Sequence, residues 1–301
     1  HMYINKIKLT NFRNYDELEL EFNNKVNFIL GQNAQGKTNL LESLYITSIG
    51  KSFRTGRDSE MIGFDKDFAR IYAEISKDGL DGSVEIIVDR SGKKFVKLDG
   101  VKIRRASELL KNVYIVIFSP EDLKIVKDEP EKRRKFIDRE LCQIKPAYYD
   151  SLSNYKKVLL QRNTYLKESI IEPSILDIWD IQLSSYGAQV MHRRNEFIEK
   201  LNYISSEIHG NITGGRENLK LTYAPNVEYI EDAYEQEKYL YELLKKSFDN
   251  DLKQRTTTKG PHKDDLEFYI DGINARSFGS QGQQRTCALS LKLAEISIIE
   301  E

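Results

Sequence analysis

The stretch that decides the fold is an apolar run followed by a glycine-bounded loop and the start of a helix. It reads Val26-Asn27-Phe28-Ile29-Leu30-Gly31-Gln32-Asn33-Ala34-Gln35-Gly36-Lys37-Thr38. This is the pattern G-x-x-x-x-G-K-T between a predicted strand and a predicted helix, the context in which such a loop surrounds the phosphates of a nucleotide. The run over 26–30 is apolar on both faces, which predicts a buried central strand. The helix is predicted from Lys37 to about Ile49.

Each part of this loop has a chemical reason. Gly31 and Gly36 allow the backbone to take positive φ and to approach phosphates without a Cβ in the way. The other loop N–H groups form an anion-binding nest in front of the positive end of the helix. These are the amides of Gln32, Asn33, Ala34 and Gln35. Lys37 is predicted to reach the β- and γ-phosphates and Thr38 to ligate Mg²⁺. The sequence therefore predicts ATP and Mg²⁺ as cofactors, and the alternative is an ordinary glycine-rich turn.

Composition places few limits on function. The 301 residues hold 46 basic and 47 acidic side chains, a formal net charge of -1, so any surface that attracts nucleic acid must be local. Cys142 and Cys287 lie far apart without metal-type spacing, which fits a reducing compartment and predicts a cytoplasmic protein. No apolar run approaches the ~20 residues of a membrane span, so no membrane partner is expected.

The chain divides by pattern into three segments. Residues 2–125 are predicted to form the N-terminal lobe of a head, residues 126–253 a mostly helical arm inserted into it, and residues 254–301 a segment that returns to the head. Apolar alternation and turn residues predict strands over 3–9, 17–22, 69–76, 83–90, 113–118, 219–223, 266–270 and 273–278. The polar stretch 11–15 is predicted to be a loop, and residues 83–105 a meander.

Helices are predicted from apolar spacing and from caps. Ser119 and Asp122 form a predicted capping box around Pro120. Further helices are expected from 132, over 148–168, over 174–209 as one or two pieces, and over 226–251. The predicted helix over 174–209 has apolar positions at Ile178, Ile181, Val190, Phe197 and Leu201. The last helix, after residue 280, presents Cys287, Ala288, Leu291, Ala294 and Ile298 on one face.

Two basic segments are candidate DNA contacts. One follows the loop helix and contains Lys51, Arg54 and Arg57. The other is the tip of the predicted meander, and its candidate residues are Lys93, Lys94, Arg104 and Arg105. Such side chains bind the phosphate backbone rather than base sequence. The alternative for the meander is a strand edge whose charges keep it soluble.

A second anion-binding corner is predicted at Ser280-Gln281-Gly282-Gln283, where the last helix begins. A serine hydroxyl, a glycine amide and the helix dipole converge there. The alternative, which is compatible with it, is that Ser280 is the N-cap of that helix.

Together these motifs resemble the ABC-type ATPase heads of the SMC and recombination-repair group, and within that group the RecF family of bacterial DNA repair and replication proteins. The resemblance covers essentially the whole chain. It rests on Asn11-Phe12-Arg13-Asn14-Tyr15, residues 31–38, Phe118-Ser119-Pro120-Glu121-Asp122-Leu123, residues 133–138, Gly260-Pro261-His262-Lys263-Asp264-Asp265 and residues 280–285. It implies an α/β fold: a P-loop ATPase head of the ABC type with an inserted helical arm.

The resemblance also implies function. In such families the signature of one protomer meets the ATP held by the P-loop of another, so an ATP-dependent homodimer is expected. Ser280, Gly282 and Gln283 would then contact ATP in trans, and Arg13 would lie near the nucleotide; its alternative is a surface arginine held by Phe12. The implied activity is weak DNA-dependent ATP hydrolysis, with Lys37, Thr38 and Ser280 as catalytic groups. The implied partners are duplex DNA, single-strand/double-strand junctions and RecR- and RecO-like proteins that help load recombinase at gaps.

Two departures from the family pattern stand out. Lys263 occupies a position where arginine is expected, which keeps the charge but not the bidentate geometry. An apolar strand ending in Asp-Glu is expected after the last helix and is absent from these 301 residues. Because that strand supplies a Mg²⁺ contact and the group that activates water, the hydrolytic site is expected to be incomplete in this sequence, which is interpreted as truncated.

Two other functions fit part of the pattern. An SMC-like head that tethers DNA structurally is the nearest alternative, but it would usually carry a long heptad arm or a Cys-x-x-Cys hook, and neither is found. A P-loop kinase or transport ATPase is the other. A kinase would need a pocket for a phosphate acceptor, and a transport ATPase would usually have a leucine and a double glycine in its signature.

Overall fold

The computed structural model describes residues 2–32 and 36–300, and the chain divides into two compact units, one up to Ile117 and one from Phe118 onward. Residues 33–35 of the predicted loop lie outside the described part. The predicted separation of a head (2–125 and 254–301) from an arm (126–253) remains a prediction.

The first unit is built on a six-stranded antiparallel sheet with the order β2-β1-β3-β4-β5-β6. Its elements in chain order are β1 (Met2–Phe12), β2 (Tyr15–Glu21), α1 (Lys37–Ile49), β3 (Phe68–Lys77), β4 (Leu80–Asp89), β5 (Lys94–Leu98) and β6 (Val101–Lys102). The predicted α1 is confirmed at both ends, since a left-handed glycine flanks it on each side.

One face of this sheet forms the core of the first unit. Strand alternation places every second side chain on that face. Cross-strand pairing aligns Leu9 with Ile71, Ile71 with Ile86 and Ile86 with Val96, a row in which all four side chains are buried. Leu40 and Ile46 of α1 belong to the same apolar cluster. The P-loop helix is therefore anchored to the sheet by side chains from its own middle turns.

Two predicted buried strands are not strands in the structure. Residues 26–30 have no strand pairing, and Val26, Phe28 and Leu30 are 68%, 84% and 90% exposed. Residues 113–118 are also unpaired, although Val113 is buried. A central strand requires hydrogen-bonding neighbours on both edges, and no described strand pairs with either segment. Apolar composition alone could not show that these neighbours were missing.

The polar stretch 11–15 is shorter as a loop than predicted. β1 runs to Phe12 and β2 begins at Tyr15, so only Arg13 and Asn14 form the turn. Asn11 and Arg13 have φ of 52° and 53°, in the left-handed region. This sharp reversal allows the hairpin to close while Phe12 stays fully buried.

The second unit is mainly helical around a small antiparallel sheet with the order β7-β8-β9. Its elements are α2 (Pro130–Ile144), α3 (Pro146–Tyr165), α4 (Pro173–Thr213), β7 (Leu219–Ala224), α5 (Ala233–Lys246), α6 (Phe248–Gln254), β8 (Asp265–Ile270), β9 (Ile273–Asn274), α7 (Ala275–Phe278) and α8 (Gln281–Glu300). The capping box of Ser119 and Asp122 is confirmed, but it opens a 3-10 turn over Pro120–Lys124. The predicted one or two helices after residue 173 are a single helix of 41 residues.

Most predicted core positions of this unit are confirmed. The stripe on α8 is buried, as are Val190, Phe197 and Leu201 of α4. Ile178 and Ile181, however, are 56% and 52% exposed, so this part of the prediction is wrong. The first turns of α4 instead bury Leu176, Asp180 and Leu183, and the helical period turns the two isoleucines away from that face.

The predicted strand over 273–278 is also wrong beyond its first two residues. Only Ile273 and Asn274 pair with β8. The Asn274 side chain then accepts hydrogen bonds from the N–H groups of Arg276 and Ser277 at 3.0 and 3.2 Å. Asparagine at this position is an N-cap, and it begins the short helix α7 instead of continuing the strand.

Candidate nucleotide-binding site and signature motif

The amino end of α1 begins at a left-handed glycine. Its N-cap is Gly36 with φ of 96°, which has no side chain to cap the helix, and among the described residues no acidic side chain lies in the first turn. A Cβ on Gly36 would lie 2.7 Å from the hydroxyl of Tyr15 and 2.8 Å from the side-chain nitrogen of Asn14, so only glycine fits. An uncapped helix start with left-handed glycine is the arrangement that receives a phosphate group.

Lys37 and Thr38 lie at this helix start. The Lys37 ammonium donates a hydrogen bond to the carbonyl oxygen of Gly31, which joins the two ends of the loop. Thr38 is exposed on the same turn, as are Gly31 and Gln32 before the loop. An anion in the loop would compete with the Gly31 carbonyl for the ammonium, because a charged acceptor forms the stronger hydrogen bond.

The hairpin turn between β1 and β2 packs directly on the start of α1. The Tyr15 hydroxyl donates to the carbonyl oxygen of Gly36 at 3.0 Å. The Asn39 amide donates to the side-chain oxygen of Asn14 at 2.7 Å. These contacts fix the backbone on both sides of Lys37.

Glu42, one turn further along α1, is a residue beside the candidate site that sequence reasoning missed. Its side chain is fully buried. Arg13 binds it through two hydrogen bonds of 2.7 and 3.0 Å, Arg54 donates at 3.2 Å and the Ser52 hydroxyl at 2.5 Å. Two cations thus compensate one buried carboxylate. Glu42 is the one acidic residue of α1, and this was the available signal.

Arg13 and Arg54 are therefore brought together beside α1. Arg13 also donates to the backbone oxygen of Glu60 at 2.7 Å. It is therefore held by specific hydrogen bonds and not only by its neighbour Phe12. Arg54 donates to the side-chain oxygen of Asn39 at 2.6 Å, in the first turn of α1. The guanidinium of Arg54, predicted as a DNA contact, lies beside the candidate phosphate site.

The other basic candidates fall into two groups. Lys94 is 20% exposed, pairs with Asp58 at 2.9 Å and donates to the carbonyl oxygen of Gly50 at 2.7 Å. Its ammonium holds β5 to the segment after α1. The remaining candidates are exposed: Lys51, Arg57, Lys93, Arg104 and Arg105.

The signature motif begins α8 and faces solvent. The Ser280 hydroxyl accepts a hydrogen bond from the N–H of Gln283 at 3.1 Å, and the Gln283 side-chain oxygen accepts from the N–H of Ser280 at 2.9 Å. This is a capping box. Ser280, Gln281 and Gly282 are exposed. In the described residues, the hydroxyl hydrogen of Ser280 has no acceptor, so it is available to a phosphate oxygen.

His262 of the Gly-Pro-His motif is half-buried and neutral. Burial lowers its pKa to about 4. Its Nε2 lies 2.8 Å from the backbone oxygen of Thr257, which only accepts, so Nε2 carries the hydrogen. Its Nδ1 accepts from the Tyr155 hydroxyl at 2.7 Å. The imidazole therefore joins α3 to the polar segment before β8 without a charge.

The acidic end of that motif belongs to a buried ionic network. Asp264 accepts from the Tyr223 hydroxyl, from Arg194 at 3.1 Å and from the N–H of Asn226 at 2.8 Å. Asp265 receives two hydrogen bonds from Arg133, at 2.6 and 3.1 Å. Lys263 is exposed between them. The motif thus holds α2, α4 and β8 together.

No cluster of His, Cys, Asp and Glu side chains that could hold a metal occurs within residues 2–32 and 36–300. Thr38 remains the predicted Mg²⁺ ligand. Cys142 and Cys287 are buried and outside any disulfide. None of the helices in this part of the chain is sufficiently long and apolar to cross a membrane.

Comparison with known proteins decides the family. A family model described as an AAA domain matches residues 6–274. The DNA replication and repair protein RecF of Clostridium botulinum is 46% identical over 300 residues, which are 99% of this chain and 82% of that protein. This chain belongs to the RecF family. The resemblance seen in the sequence is thereby confirmed.

Solved structures agree with this assignment. The recombination mediator protein RecF-ATPrS in the RecFOR pathway matches with a TM-score of 0.93 and 37% identity, covering 99% of this chain and 82% of that RecF chain. An Smc head bound to the C-winged helix domain of ScpA matches with a TM-score of 0.50 and 17% identity over 98% of this chain and 77% of the other, which shows the fold alone. The fold is that of an α/β ATPase head of the ABC type.

Proposed function

We propose that this RecF-family chain is an ATP-gated DNA-binding switch of replication and recombination repair. The observation that carries the proposal is the start of α1, where the left-handed Gly36 has no side chain to cap the helix and the Lys37 ammonium donates to the carbonyl oxygen of Gly31. The names of the relatives support the biological setting: one is a DNA replication and repair protein, and another is a recombination mediator bound to an ATP analogue.

ATP is proposed to bind with its phosphates against the start of α1. The backbone of residues 31–36 surrounds them, Lys37 binds the β- and γ-phosphates, and Thr38 holds Mg²⁺. Bound Mg²⁺ supplies charge neutralisation of the phosphate oxygens. Arg13 and Arg54, both fixed on Glu42, add positive charge beside the site. Hydrolysis is proposed to be slow and stimulated by DNA.

Two copies are proposed to close around ATP. The signature of one copy, with the Ser280 hydroxyl and the Gly282 amide, binds the γ-phosphate held by the P-loop of the other copy, and Gln283 fixes the serine. ATP is then part of the interface, so its hydrolysis releases the dimer. The solvent-facing capping box of α8 supports this arrangement, because it leaves a hydroxyl hydrogen free for a phosphate.

The dimer is proposed to bind duplex DNA near single-strand/double-strand junctions in the cytoplasm and to act with RecR- and RecO-like proteins in loading recombinase at gaps. Contacts would come from exposed basic side chains on the phosphate backbone. The exposed candidates are Lys51, Arg57, Lys93, Arg104 and Arg105. Lys94 is a weaker candidate, because Asp58 neutralises it.

Fluorescence anisotropy of a labelled gapped duplex tests this function. The protein is titrated with ATP, with ADP and without nucleotide. The variants Lys37→Ala and Lys25→Ala are measured in parallel, and Lys25 is an exposed lysine shortly before the P-loop in the sequence. The proposal expects tight, salt-sensitive binding with ATP that Lys37→Ala loses and Lys25→Ala keeps. Binding that is indifferent to nucleotide would contradict it and would point to a nucleotide switch whose partner is a protein.

A further inference from the structure

A chain of hydrogen bonds connects the signature motif to α4 within the second unit. The side-chain oxygen of Gln283 accepts from the N–H of Ser280 at 2.9 Å, so the other end of its amide must donate. It donates to Glu217 at 3.2 Å, on the segment between α4 and β7. The signature glutamine is thereby held in one orientation by a carboxylate 66 residues earlier in the chain.

His209, near the carboxyl end of α4, holds the other oxygen of that carboxylate. Its ring is fully buried, and its Nε2 lies 2.9 Å from Glu217. Its Nδ1 lies 3.2 Å from the Ser290 hydroxyl of α8. The Ser290 hydroxyl also donates to the backbone oxygen of Thr286 at 2.8 Å. A carboxylate only accepts hydrogen bonds, so Nε2 of His209 donates to Glu217.

These contacts tie the beginning of α8 at two points. Glu217 holds Gln283 in the first turn, and His209 holds Ser290 about two turns later. The neighbouring Gln284 holds the preceding segment through the backbone oxygen of Ala275 at 2.9 Å. Ser280 itself is exposed, so its orientation depends on these indirect supports.

We propose that Glu217 and His209 are positioning residues for the signature motif. The pair fixes the Gln283 amide, which in turn keeps the Ser280 hydroxyl and the Gly282 amide arranged for the phosphate of an ATP bound by a second copy. A preorganised site loses less conformational freedom when its ligand arrives. This inference rests on the proposed function, in which the signature binds ATP in trans.

The variant Glu217→Ala tests the proposal through ATP-dependent self-association, measured by sedimentation velocity. The expected result is self-association weakened about 10-fold, the value of one hydrogen bond to a charged group. ATP affinity of the separate protomer, measured by calorimetry, should change by less than about 2-fold, since the variant leaves Lys37 and Gly36 intact. Glu207→Ala, an exposed glutamate on α4, is the matched control.

Conservative variants separate positioning from general stability. Glu217→Gln keeps an acceptor for Gln283 but removes the charge that faces His209, so an intermediate loss is expected. His209→Gln should resemble it. Thermal melts identify any variant that has simply unfolded. If Glu217→Ala is unfolded, Glu217→Gln still provides the test.

Amide hydrogen exchange over residues 279–285, in protein without nucleotide, gives a readout independent of dimerisation. Glu217→Gln should raise exchange there, whereas Glu207→Ala should not. If the wild-type protein fails to self-associate with ATP, the proposed function fails, and the exchange result alone then decides whether the pair positions the signature. Two results would overturn the inference. One is exchange in Glu217→Gln equal to that in Glu207→Ala, and the other is ATP-dependent self-association of the Glu217 variants equal to that of the wild type.

Discussion

The amino ends of α1 and α8 differ in how their N–H groups are satisfied. α1 begins at Gly36 with no side-chain cap, whereas α8 begins with the reciprocal Ser280–Gln283 capping box. A helix start without a cap has unpaired donors that a phosphate can satisfy, and a capped start is already stable. This difference fits the proposed function, in which α1 binds an anion by itself and α8 adds a few remaining donors to an anion held by another copy.

The supports behind the two helix starts differ in the same sense. Glu42 behind α1 is fully buried and bound by two arginines and a serine. Glu217 behind α8 is 23% exposed and bound by one histidine and one glutamine. Loss of a buried, multiply paired charge costs far more than loss of a partly exposed one. The comparison therefore predicts that α1 tolerates change poorly and that α8 can be tuned.

The largest effect is expected for Glu42→Ala. Without the buried carboxylate, the half-buried Arg13 and the exposed Arg54 are left side by side without their shared partner, and the Ser52 hydroxyl loses its acceptor, so the free energy of unfolding should fall by about 3–5 kcal/mol. Urea denaturation measures it. Glu17→Ala, an exposed glutamate on β2, is the control and should change stability by less than about 0.5 kcal/mol. Equal effects in the two variants would remove the contrast between the supports.

A contrasting support is His262, which is half-buried and neutral, whereas Glu42 is fully buried and paired with two arginines. Because burial lowers its pKa from 6.5 to about 4, the unfolded chain binds this proton first as the pH falls. Between pH 6.5 and pH 4 this residue should therefore remove about 3 kcal/mol of stability. Urea denaturation across that range should show a shallower loss for His262→Gln than for the wild type. A wild-type slope in His262→Gln would show that the imidazole is not held neutral.

The next effect concerns the ligand. Lys37→Ala should lower ATP affinity about 100-fold, because a charge-assisted hydrogen bond to phosphate is lost at the open end of α1. Calorimetric titration with ATP measures this, and Lys25→Ala serves as the control. An affinity within a few-fold of wild type would show that α1 does not bind the phosphates as proposed.

The smallest effect is expected for Ser280→Ala. ATP binding by the protomer should be unchanged, whereas ATP-dependent self-association should weaken about 10-fold, since α8 adds only a hydroxyl to an anion already bound. Asp232→Ala removes an N-cap from α5 and is the matched control for lost capping. Reduced ATP binding by the Ser280→Ala protomer would contradict the division of roles between the two helix starts.

Local signals were enough to predict both helix starts. The bounds of α1 follow from glycines at either end, and the capping box of α8 is visible as serine followed by glutamine three residues later. Each of these features involves residues within one helical turn. The candidate phosphate loop and the signature were thus readable from short stretches of sequence.

Features that depend on distant residues were not predictable in this way. The run over 26–30 has the composition of a central strand, but strand formation depends on neighbours that its own residues do not specify. Glu42 was missed because its partners Arg13 and Arg54 are 29 and 12 residues away in the chain. Arg54 was interpreted as a surface DNA contact for the same reason.

The central claim, that ATP held by α1 of one copy is completed by α8 of another, is tested most directly by mixing two defective variants. Lys37→Ala binds ATP more weakly and Ser280→Ala completes the site less well, so at protein concentrations near the wild-type dissociation constant each variant alone should self-associate with ATP far less than the wild type in sedimentation velocity. Their mixture contains one intact pairing, Lys37 of one copy with Ser280 of the other. It should therefore form a heterodimer with ATP and not with ADP. A mixture that stays monomeric with ATP, under conditions where the wild-type protein dimerises, would contradict the claim.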